Sequence, residues 1–435
     1  MTIHPHTLLV GSFLLLIVLG TALLEQSFAT PAGSLALIDA LFTATSAVCV
    51  TGLIVVDTSS AFTQSGQAVI MLLFQLGGLG IMTFSALLIF LSGGSLSMRT
   101  QHALQETFYQ RPAAHKLRRD LLWIVGLTFG IEAFGALVLW TFTPEMQLFD
   151  ALFHAVSAFC NAGFSTFSSS VMQIDKRHFS LIVIMVLIIV GGLGYPVLFE
   201  LLDRHGLRGV RERKPKLSLH TRACLRVTVF LIIFGTAALF VGEALMGHHL
   251  PFIDALFQSV TTRTAGFNSV DIGALQTPTL LIIIAWMFIG GSPASCAGGI
   301  KTTTIFVWFA AIRSFIREEA EVAILGRRLS TQLVNRAFSV VSIGLLFNMF
   351  GIFVLSVTER GDPQISLTSL MFEQFSAFAT VGLSTGITPL LSAPGKLWII
   401  LSMFVGRVGP LAIAAVFVRE YVSRVRYPEE YVMIG

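Results

Sequence analysis

One motif occurs four times in this chain of 435 residues, and it constrains the fold more than any other feature. The copies read DALFTATSAVCVTG at residues 39–52, DALFHAVSAFCNAGFST at 150–166, DALFQSVTTRTAGFN at 254–268 and MFEQFSAFATVGLST at 371–385. Each copy begins as an apolar half-helix, runs through Ser, Thr and Ala residues, and reaches a glycine followed by an apolar residue. Such repetition indicates that the chain is built from copies of one structural unit.

A second glycine follows each motif at a similar distance. The motif glycines are Gly52, Gly163, Gly266 and Gly382, which are 111, 103 and 116 residues apart. The second glycines are Gly77, Gly191, Gly290 and Gly406, which come 25, 28, 24 and 24 residues later. We therefore divide the chain into four repeats, at 1–98, 99–205, 206–328 and 329–435, the last including a C-terminal tail.

The composition is that of a polytopic membrane protein. Hydrophobic residues make up 54% of the chain and charged residues only 12%, whereas soluble domains carry about 25% charged residues. The basic sequence pI does not require a nucleic-acid partner, because Lys and Arg concentrated on one side of a membrane explain it. The four cysteines lack metal-ligand spacing, so we interpret them as small apolar fillers without disulfides.

Apolar runs of about 20 residues, the length that a bilayer requires, predict two spanning helices in each repeat. They lie near 6–24 and 66–92, 120–142 and 179–202, 223–246 and 278–312, and 333–357 and 396–422. The motif segments between them are too short to cross and fit re-entrant loops surrounded by protein or a water-filled cavity. The predicted fold is an all-α polytopic membrane protein with four M1–P-loop–M2 repeats. Eight transmembrane helices and four re-entrant pore loops then surround one pore with pseudo-fourfold symmetry.

Charge predicts the orientation. The linkers at 99–119, 204–222 and 313–328 hold five, seven and four Lys or Arg residues, while the opposite side carries mainly acids. The positive-inside rule makes the linkers cytoplasmic and the motif loops external-facing. By charge alone, these linkers set the topology rather than dock a partner.

Four such loops around one axis predict a cation-selective pore. Pore loops select cations by presenting backbone carbonyls in place of hydration water, and glycine adopts the required backbone conformation without steric cost. The short helix before each glycine would point its partially negative C-terminal end towards the pore centre. The alternative is that the glycines serve only close helix packing, which four matching copies disfavour.

The second helix of repeat 3 is interrupted by a segment with four glycines and one proline, residue types that weaken a helix. The residues of this segment, together with the lysine that follows it, are Gly290, Gly291, Ser292, Pro293, Ala294, Ser295, Cys296, Ala297, Gly298, Gly299 and Lys301. Irregular backbone at membrane depth should line a cavity, so we predict a gate loop at 290–300, below the filter. The alternative for this segment is a kink that serves helix packing and has no gating role. The alternative for Lys301 is that it only marks the cytoplasmic exit of the pore.

Arg407 lies between Gly406 and Gly409 inside the last apolar run. An ionisable residue within a membrane span is costly, so it is expected to have a functional role. We predict that Arg407 projects into the cavity beside the gate loop and raises the barrier to cations. The alternative is an arginine at a helix end whose side chain reaches the membrane interface.

The loops TATSAVCVTGL, HAVSAFCNAGF, SVTTRTAGF and FSAFATVGL resemble those of the Trk/Ktr/HKT potassium transporters. IGGSPASCAGGIKTTT is similar to that family's gate segment in repeat 3, and MFVGRVGPL is similar to the second helix of its repeat 4. The ending YPEEYVMIG resembles that of membrane subunits of bacterial Ktr systems. The resemblance implies a filter lined by the carbonyls of three residues per loop. They are Val50, Thr51, Gly52, Asn161, Ala162, Gly163, Thr264, Ala265, Gly266, Thr380, Val381 and Gly382. The third loop is one residue shorter than the others between its Phe and its glycine.

The resemblance also implies a function. It implies K⁺ uptake across the bacterial plasma (inner) membrane, driven by the membrane potential, with Na⁺ as a candidate activator. Glycine at all four filter positions favours K⁺, since a Ser in the first loop of relatives goes with Na⁺ permeation. The implied assembly is a homodimer on a cytosolic, KtrA-like ring of RCK subunits. The partner rather than this chain would bind the nucleotide, and no covalent cofactor is expected.

Two other classes are less favoured. A coupled secondary transporter of another small solute would need paired membrane carboxylates or inverted repeats. Here the repeats are parallel, and Glu132, Glu200 and Glu243 are interpreted as isolated near span ends. A membrane-embedded enzyme would need a motif such as HExxH or GxSxG, which the sequence lacks.

Overall fold

The computed structural model describes residues 5–80, 114–174, 178–204, 217–363 and 365–410. Their helices are α1 (Pro5–Leu24), α2 (Leu37–Val48), α3 (Thr58–Ala61), α4 (Gln64–Leu79), α5 (Ala114–Phe142), α6 (Leu148–Cys160), α7 (His178–Leu193), α8 (Tyr195–Arg204), α9 (Leu219–Leu245), α10 (Phe252–Thr261), α11 (Thr277–Met287), α12 (Thr302–Ile316), α13 (Thr331–Thr358), α14 (Leu367–Ala379) and α15 (Ala393–Val408). A small antiparallel hairpin joins β1 (Ala323–Ile324) to β2 (Arg327–Arg328), with Ala323 opposite Arg328. Short 3₁₀ turns cover Ser170–Gln173, Ile272–Ala274 and Thr388–Leu390.

A three-helix unit recurs along the chain. A first helix (α1, α5, α9 or α13) packs on a short helix (α2, α6, α10 or α14), and a second helix (α4, α7, α11 or α15) follows. The predicted first helices and short motif helices are confirmed to within a few residues. An acid lies in the first turn of α2, α6 and α10, where it interacts favourably with the partial positive charge of the helix N-terminus.

Within the described ranges, three helices are long and apolar enough to cross a bilayer: Arg119–Phe142, Leu219–Leu245 and Thr331–Thr358. The pair Phe179–Leu193 and Tyr195–Arg204, bent by 99°, would add a fourth crossing. The long helices expose large apolar side chains such as Phe134, Ile233 and Leu346, which suits contact with lipid. The chain is a multi-pass helical protein by this criterion, and the full set of eight crossings stays a prediction.

The prediction of a continuous second helix at 179–202 is wrong. Helix α7 ends at Leu193, Gly194 adopts a φ of +86°, and α8 begins at Tyr195. A residue with positive φ cannot continue a right-handed helix, and glycine adopts this conformation without steric cost. A sharp bend at this glycine therefore replaces the predicted straight helix.

The second helices of repeats 1 and 4 end in the same way. Helix α4 ends before Gly80, with a φ of +80°, and α15 ends before Gly409, with a φ of +93°. Each of these glycines lies three residues after its repeat's second glycine, as Gly194 does. The remainders of the predicted spans 66–92 and 396–422 lie outside the described residues. In repeat 3 the predicted interruption is confirmed, since α11 ends at Met287 and α12 begins at Thr302.

The repeats are packed in cyclic order. Each second helix contacts the short helix of the next repeat: α4 contacts α6, α7 contacts α10, α11 contacts α14, and α15 contacts α2. The last contact joins repeat 4 to repeat 1 and closes the ring. The second glycines permit close packing, because an added Cβ at Gly77, Gly191 or Gly406 would collide with a carbonyl in the last turn of that repeat's own short helix. All four cysteines of the sequence are buried free thiols.

Candidate functional site

The four motif glycines meet in one closed ring. A Cβ added to Gly163 would lie 2.8 Å from the carbonyl oxygen of Ala265, and one added to Gly266 would lie 2.5 Å from that of Val381. In the same way Gly52 faces the carbonyl oxygen of Ala162, and Gly382 faces that of Thr51. Each glycine therefore abuts the carbonyl that precedes the glycine of the next repeat, and the order 1–2–3–4–1 is complete. All four glycines line one cavity of about 250 Å³.

Each loop contains two left-handed residues separated by one residue with negative φ. The glycines have φ values of +90°, +72°, +78° and +94°, in chain order. Two residues before them are Val50, Asn161, Thr264 and Thr380, with φ values of 56°, 59°, 68° and 50°. Left-handed conformations are costly for non-glycine residues and persist only where the surrounding structure enforces them. Backbone of alternating hand can turn successive carbonyls to one side, the arrangement that a carbonyl-lined filter needs.

The shorter third loop reaches the same conformation. Helix α10 ends at Thr261, three residues before the left-handed Thr264. In repeats 2 and 4 the short helix ends directly before the left-handed residue. The third loop thus compensates for the missing residue where its short helix ends. Thr264 and Gly266 have positive φ, as the corresponding residues of the other loops do.

One hydroxyl-bearing residue in each short helix supports its loop, through its backbone carbonyl in all four loops and, at Ser46 and Ser376, also through its hydroxyl, a role that the sequence analysis missed. The carbonyls of Ser46, Ser157, Thr261 and Ser376 accept hydrogen bonds from the N–H of the residue before each motif glycine, at 2.8, 2.7, 2.9 and 2.8 Å. The hydroxyls of Ser46 and Ser376 also accept from the N–H of Gly52 and Gly382, each at 3.1 Å. The available signal was a hydroxyl residue six positions before the glycine in three loops and five positions before it in the shorter third loop.

Polar groups surround the ring. Asp57 and Asp271 line the 250 Å³ cavity with the glycines, and each carboxylate is held by a backbone N–H, from Ser59 at 3.0 Å and from Gly273 at 2.9 Å. Acidic groups at a pore mouth raise the local concentration of cations. The buried hydroxyls of three ring residues accept or donate no hydrogen bond within the described structure. They are those of Thr51, Thr264 and Thr380.

The predicted gate segment packs against the fourth loop. A Cβ on Gly298 would collide with the Thr380 hydroxyl, and one on Gly299 would lie 3.3 Å from the Ala379 carbonyl oxygen. The segment folds back on itself, since the N–H of Gly290 donates to the carbonyl of Ile300 at 2.9 Å.

Backbone hydrogen bonds attach the gate segment to the bend between α7 and α8. The N–H groups of Ser292 and Cys296 donate to the carbonyls of Gly192 and Gly191 at 3.0 and 3.3 Å. In return the N–H of Tyr195 donates to the carbonyl of Ala294 at 3.1 Å. The bend that the sequence analysis missed is therefore the surface on which the segment rests.

Arg407 lies beside the gate segment. Its guanidinium donates to the carbonyl of Cys296 in that segment and to the carbonyl of Gly77 in α4. These partly buried contacts hold the guanidinium against two backbone carbonyls within the protein, which differs from an arginine whose side chain reaches the membrane interface. Lys301 donates to the carbonyl of Ala297 at 2.6 Å. Lys301 and Arg407 line one cavity of about 440 Å³, which also includes Gly299.

The prediction that Glu132 lies near a span end is wrong. It lies inside α5 with a relative exposure of 2%, and the Gln75 amide donates to its carboxylate at 3.0 Å. Glu243 and Glu200 also accept hydrogen bonds from neighbouring groups. Glu132 also accepts a hydrogen bond from the Cys160 thiol at 3.8 Å.

Comparison with known proteins identifies relatives along the whole chain. A family model described as TrkH, cation transport protein, matches residues 4–424. The Ktr system potassium uptake protein B of Bacillus subtilis (strain 168) is 38% identical, over 99% of this chain and 96% of its own length. That of Vibrio alginolyticus is 39% identical over 92% and 89%. The potassium/sodium uptake protein NtpJ of Enterococcus hirae is 34% identical over 100% and 98%.

The fold has a solved counterpart. The crystal structure of the potassium transporter TrkH from Vibrio parahaemolyticus superimposes with a TM-score of 0.71, at 19% sequence identity, covering 94% of this chain and 85% of that chain. At this identity the likeness concerns the fold. The family is established by the match over residues 4–424 and by the relative that is 38% identical over 99% of this chain. The chain belongs to the TrkH family of cation transport proteins, which are transporters and not a class of enzymes.

Proposed function

We propose that this protein takes up K⁺ across the bacterial plasma membrane through the ring formed by its four motif glycines. The single observation that carries the proposal is the closed order of that ring, in which Gly52, Gly163, Gly266 and Gly382 each abut a carbonyl of the next repeat. Several relatives are named as potassium uptake proteins, which supports K⁺ as the transported ion.

K⁺ would bind to backbone carbonyls of the three filter residues in each loop. Carbonyl oxygens that replace the hydration shell are the usual means of K⁺ selection. The unpaired hydroxyls of Thr51, Thr264 and Thr380 supply further oxygen atoms next to these carbonyls. Asp57 and Asp271 at the ring cavity would concentrate cations there.

The segment at 290–300, with Lys301 and Arg407, forms the gate of this pore. Both side chains line one cavity, together with the exposed Arg336 and without a lining carboxylate among the described residues, so this cationic lining opposes the passage of cations. Opening requires the loss of the Arg407 hydrogen bond to Cys296 and of the three backbone bonds to Gly191, Gly192 and Tyr195. These bonds are few and link separate elements, which suits a movable segment.

The membrane arrangement and the assembly belong to the same proposal. The four repeats cross the membrane eight times, with the basic linkers in the cytoplasm. Two chains form a dimer on a cytosolic, nucleotide-binding ring of RCK-type subunits, which controls the gate. The names of relatives as parts of a Ktr system support a regulatory partner, and the name potassium/sodium uptake protein supports Na⁺ as an activator.

Uptake of ⁸⁶Rb⁺ into K⁺-loaded liposomes tests the proposal, with K⁺ and Na⁺ as external competitors. We expect K⁺ to block uptake at concentrations where Na⁺ does not. Gly163→Ser should weaken the discrimination against Na⁺, because it adds a side chain at a φ of +72° against the Ala265 carbonyl. Gly130→Ser in α5 is the matched control, since an added Cβ there meets nothing within 4 Å.

A closed pore and a wrong assignment give different results. If the wild type is inactive but a variant lacking residues 292–297 takes up ⁸⁶Rb⁺ selectively, the pore exists and is closed. If neither protein takes up ⁸⁶Rb⁺, or if Na⁺ competes as well as K⁺ in both, the proposal is overturned.

A further inference from the structure

One ion pair crosses the junction between the last and the first repeat. Lys396 of α15 lies with its Nζ 2.8 Å from a carboxylate oxygen of Asp39 in α2, and the two side chains are only 14% and 19% exposed. The residues are 357 positions apart in the chain. The other three junctions of the ring join repeats that follow one another in the sequence, but this junction joins two repeats that no linker connects.

The positions that correspond to Lys396 carry no charge in the other repeats. Ten residues before the second glycine the chain has Gln67, Leu181 and Leu280 in repeats 1, 2 and 3. The acid is less distinctive, since Asp150 and Asp254 occupy the position of Asp39 in repeats 2 and 3. The lysine is therefore peculiar to the junction at which the ring closes.

The local helix does not explain this lysine. Helix α15 begins at Ala393, so Lys396 lies in its first turn, where the partial positive charge of the helix N-terminus disfavours a cation. Asp39 lies in the first turn of α2, where the same effect favours an anion. The contact with Asp39 is thus the interaction in the structure that favours a cation at position 396.

Both partners are connected to the ring. Helix α2 leads into the loop that contains Thr51, whose carbonyl abuts Gly382 of the fourth loop. Helix α15 supports the fourth loop, because Gly406 packs against the carbonyl of Phe378 near the end of α14. A shift of α15 away from α2 would open the contact between Thr51 and Gly382.

We infer that Asp39 and Lys396 are positioning residues that close the ring and thereby set its selectivity at the junction between repeats 4 and 1. The inference rests on the proposed function of the ring as a K⁺ filter. Neither side chain lines the cavity of the four glycines, so the pair acts through the separation of the first and fourth loops.

The test compares Asp39→Asn, Lys396→Gln and the exchanged pair Asp39→Lys with Lys396→Asp in liposomes. The measured quantity is the Na⁺ concentration that halves ⁸⁶Rb⁺ uptake, relative to the corresponding K⁺ concentration, together with the midpoint of thermal unfolding. We expect each single variant to lower this ratio about three- to tenfold, the range for loss of a partly buried ion pair. The exchanged pair should recover most of the ratio.

Two variants complete the test. Glu321→Gln removes an exposed partner of Arg328, in an ion pair whose side chains are 50% and 68% exposed, and should leave the ratio unchanged. Lys396→Arg keeps the charge and should behave as the wild type. It tests the role of the charge at this position even if Lys396→Gln fails to fold.

Three results would overturn the inference while leaving the filter intact. The first is a lower unfolding midpoint with a wild-type Na⁺ ratio in both single variants, which would make the pair merely structural. The second is an exchanged pair that recovers nothing, and the third is an equal effect of Glu321→Gln. A wild type without K⁺ preference would instead refute the proposed function itself, so the two failures are distinguishable.

Discussion

The ring of glycines and the gate segment are built in opposite ways. Four copies of one motif make the ring, and even the shorter third loop reaches the same backbone conformation at Thr264 and Gly266. The gate segment arises where one repeat departs from the plan. Gly77, Gly191 and Gly406 pack against the short helix of their own repeat, whereas Gly290 packs against Gly298 of its own segment.

This difference separates two properties of a pore. A property that needs equal contributions from four sides, such as the coordination of a bare cation, depends on positions that repeat. A property that needs one movable element depends on the position that does not repeat. We therefore expect substitutions in the ring to change ion selectivity and substitutions at the gate to change flux.

The largest effect should come from deletion of residues 292–297. The deletion removes the part of the segment that is hydrogen-bonded to Gly191, Gly192 and Arg407, so ⁸⁶Rb⁺ uptake should rise about tenfold or more. The preference for K⁺ over Na⁺ should stay at the wild-type value. A monodisperse deletion variant with wild-type flux would remove this segment from the gate.

Gly382→Ala should strongly reduce selectivity or uptake. The new Cβ would collide with the Thr51 carbonyl, and the φ of +94° disfavours a side chain. Gly386→Ala is the matched control, because Gly386 has a φ of +93° with nothing within 4 Å of an added Cβ. Equal effects of the two variants on Na⁺ competition would attribute the result to backbone strain and contradict a role for close packing in the ring.

Arg407→Ala should raise flux by a smaller factor than the deletion, about three- to tenfold, because it removes one cation and its bonds to Cys296 and Gly77. Arg336→Ala is the control, since Arg336 lines the same cavity from α13 with an exposed side chain, whose charge is screened by solvent. The measurement is the initial rate of ⁸⁶Rb⁺ uptake. A fall in flux, or an equal rise with Arg336→Ala, would contradict the assignment of Arg407 to the gate.

Ser376→Ala should have the smallest effect. It removes the hydroxyl that accepts from the N–H of Gly382, and loss of one such bond weakens a structure by about 1 kcal/mol. We expect Na⁺ to compete a few-fold better, whereas Ser356→Ala, at an exposed hydroxyl of α13, should change nothing. A change in flux without a change in Na⁺ competition would show that Ser376 does not support the ring.

Local and repeated features could be predicted from the sequence. Composition and spacing were enough to predict the four short helices and the glycine at the end of each motif. They were also enough to predict the interruption of the second helix in repeat 3. The bend at Gly194 could not be predicted in this way. Closely spaced glycines, such as Gly191 and Gly194, also occur in continuous helices that pack closely together. The distinguishing feature is the positive φ of Gly194, which recurs at Gly80 and Gly409 and which composition and spacing do not reveal.

Pairings between distant parts of the chain were also beyond the sequence. The hydrogen bond between Glu132 and Gln75 could not be predicted, because the two residues lie in different repeats. The ion pair between Lys396 and Asp39 could not be predicted either, because the two residues lie near opposite ends of the chain. A single sequence indicates which residue types recur, but the packing of the repeats decides which of them meet.

Rubidium diffraction tests the central claim most directly. Crystals of the protein grown in Rb⁺ would be measured at the rubidium absorption edge, and the anomalous peaks located. The account predicts at least one peak on the axis of the ring, surrounded by carbonyls from all four loops. A ring without a peak, in crystals that show Rb⁺ bound elsewhere in the protein, would contradict it.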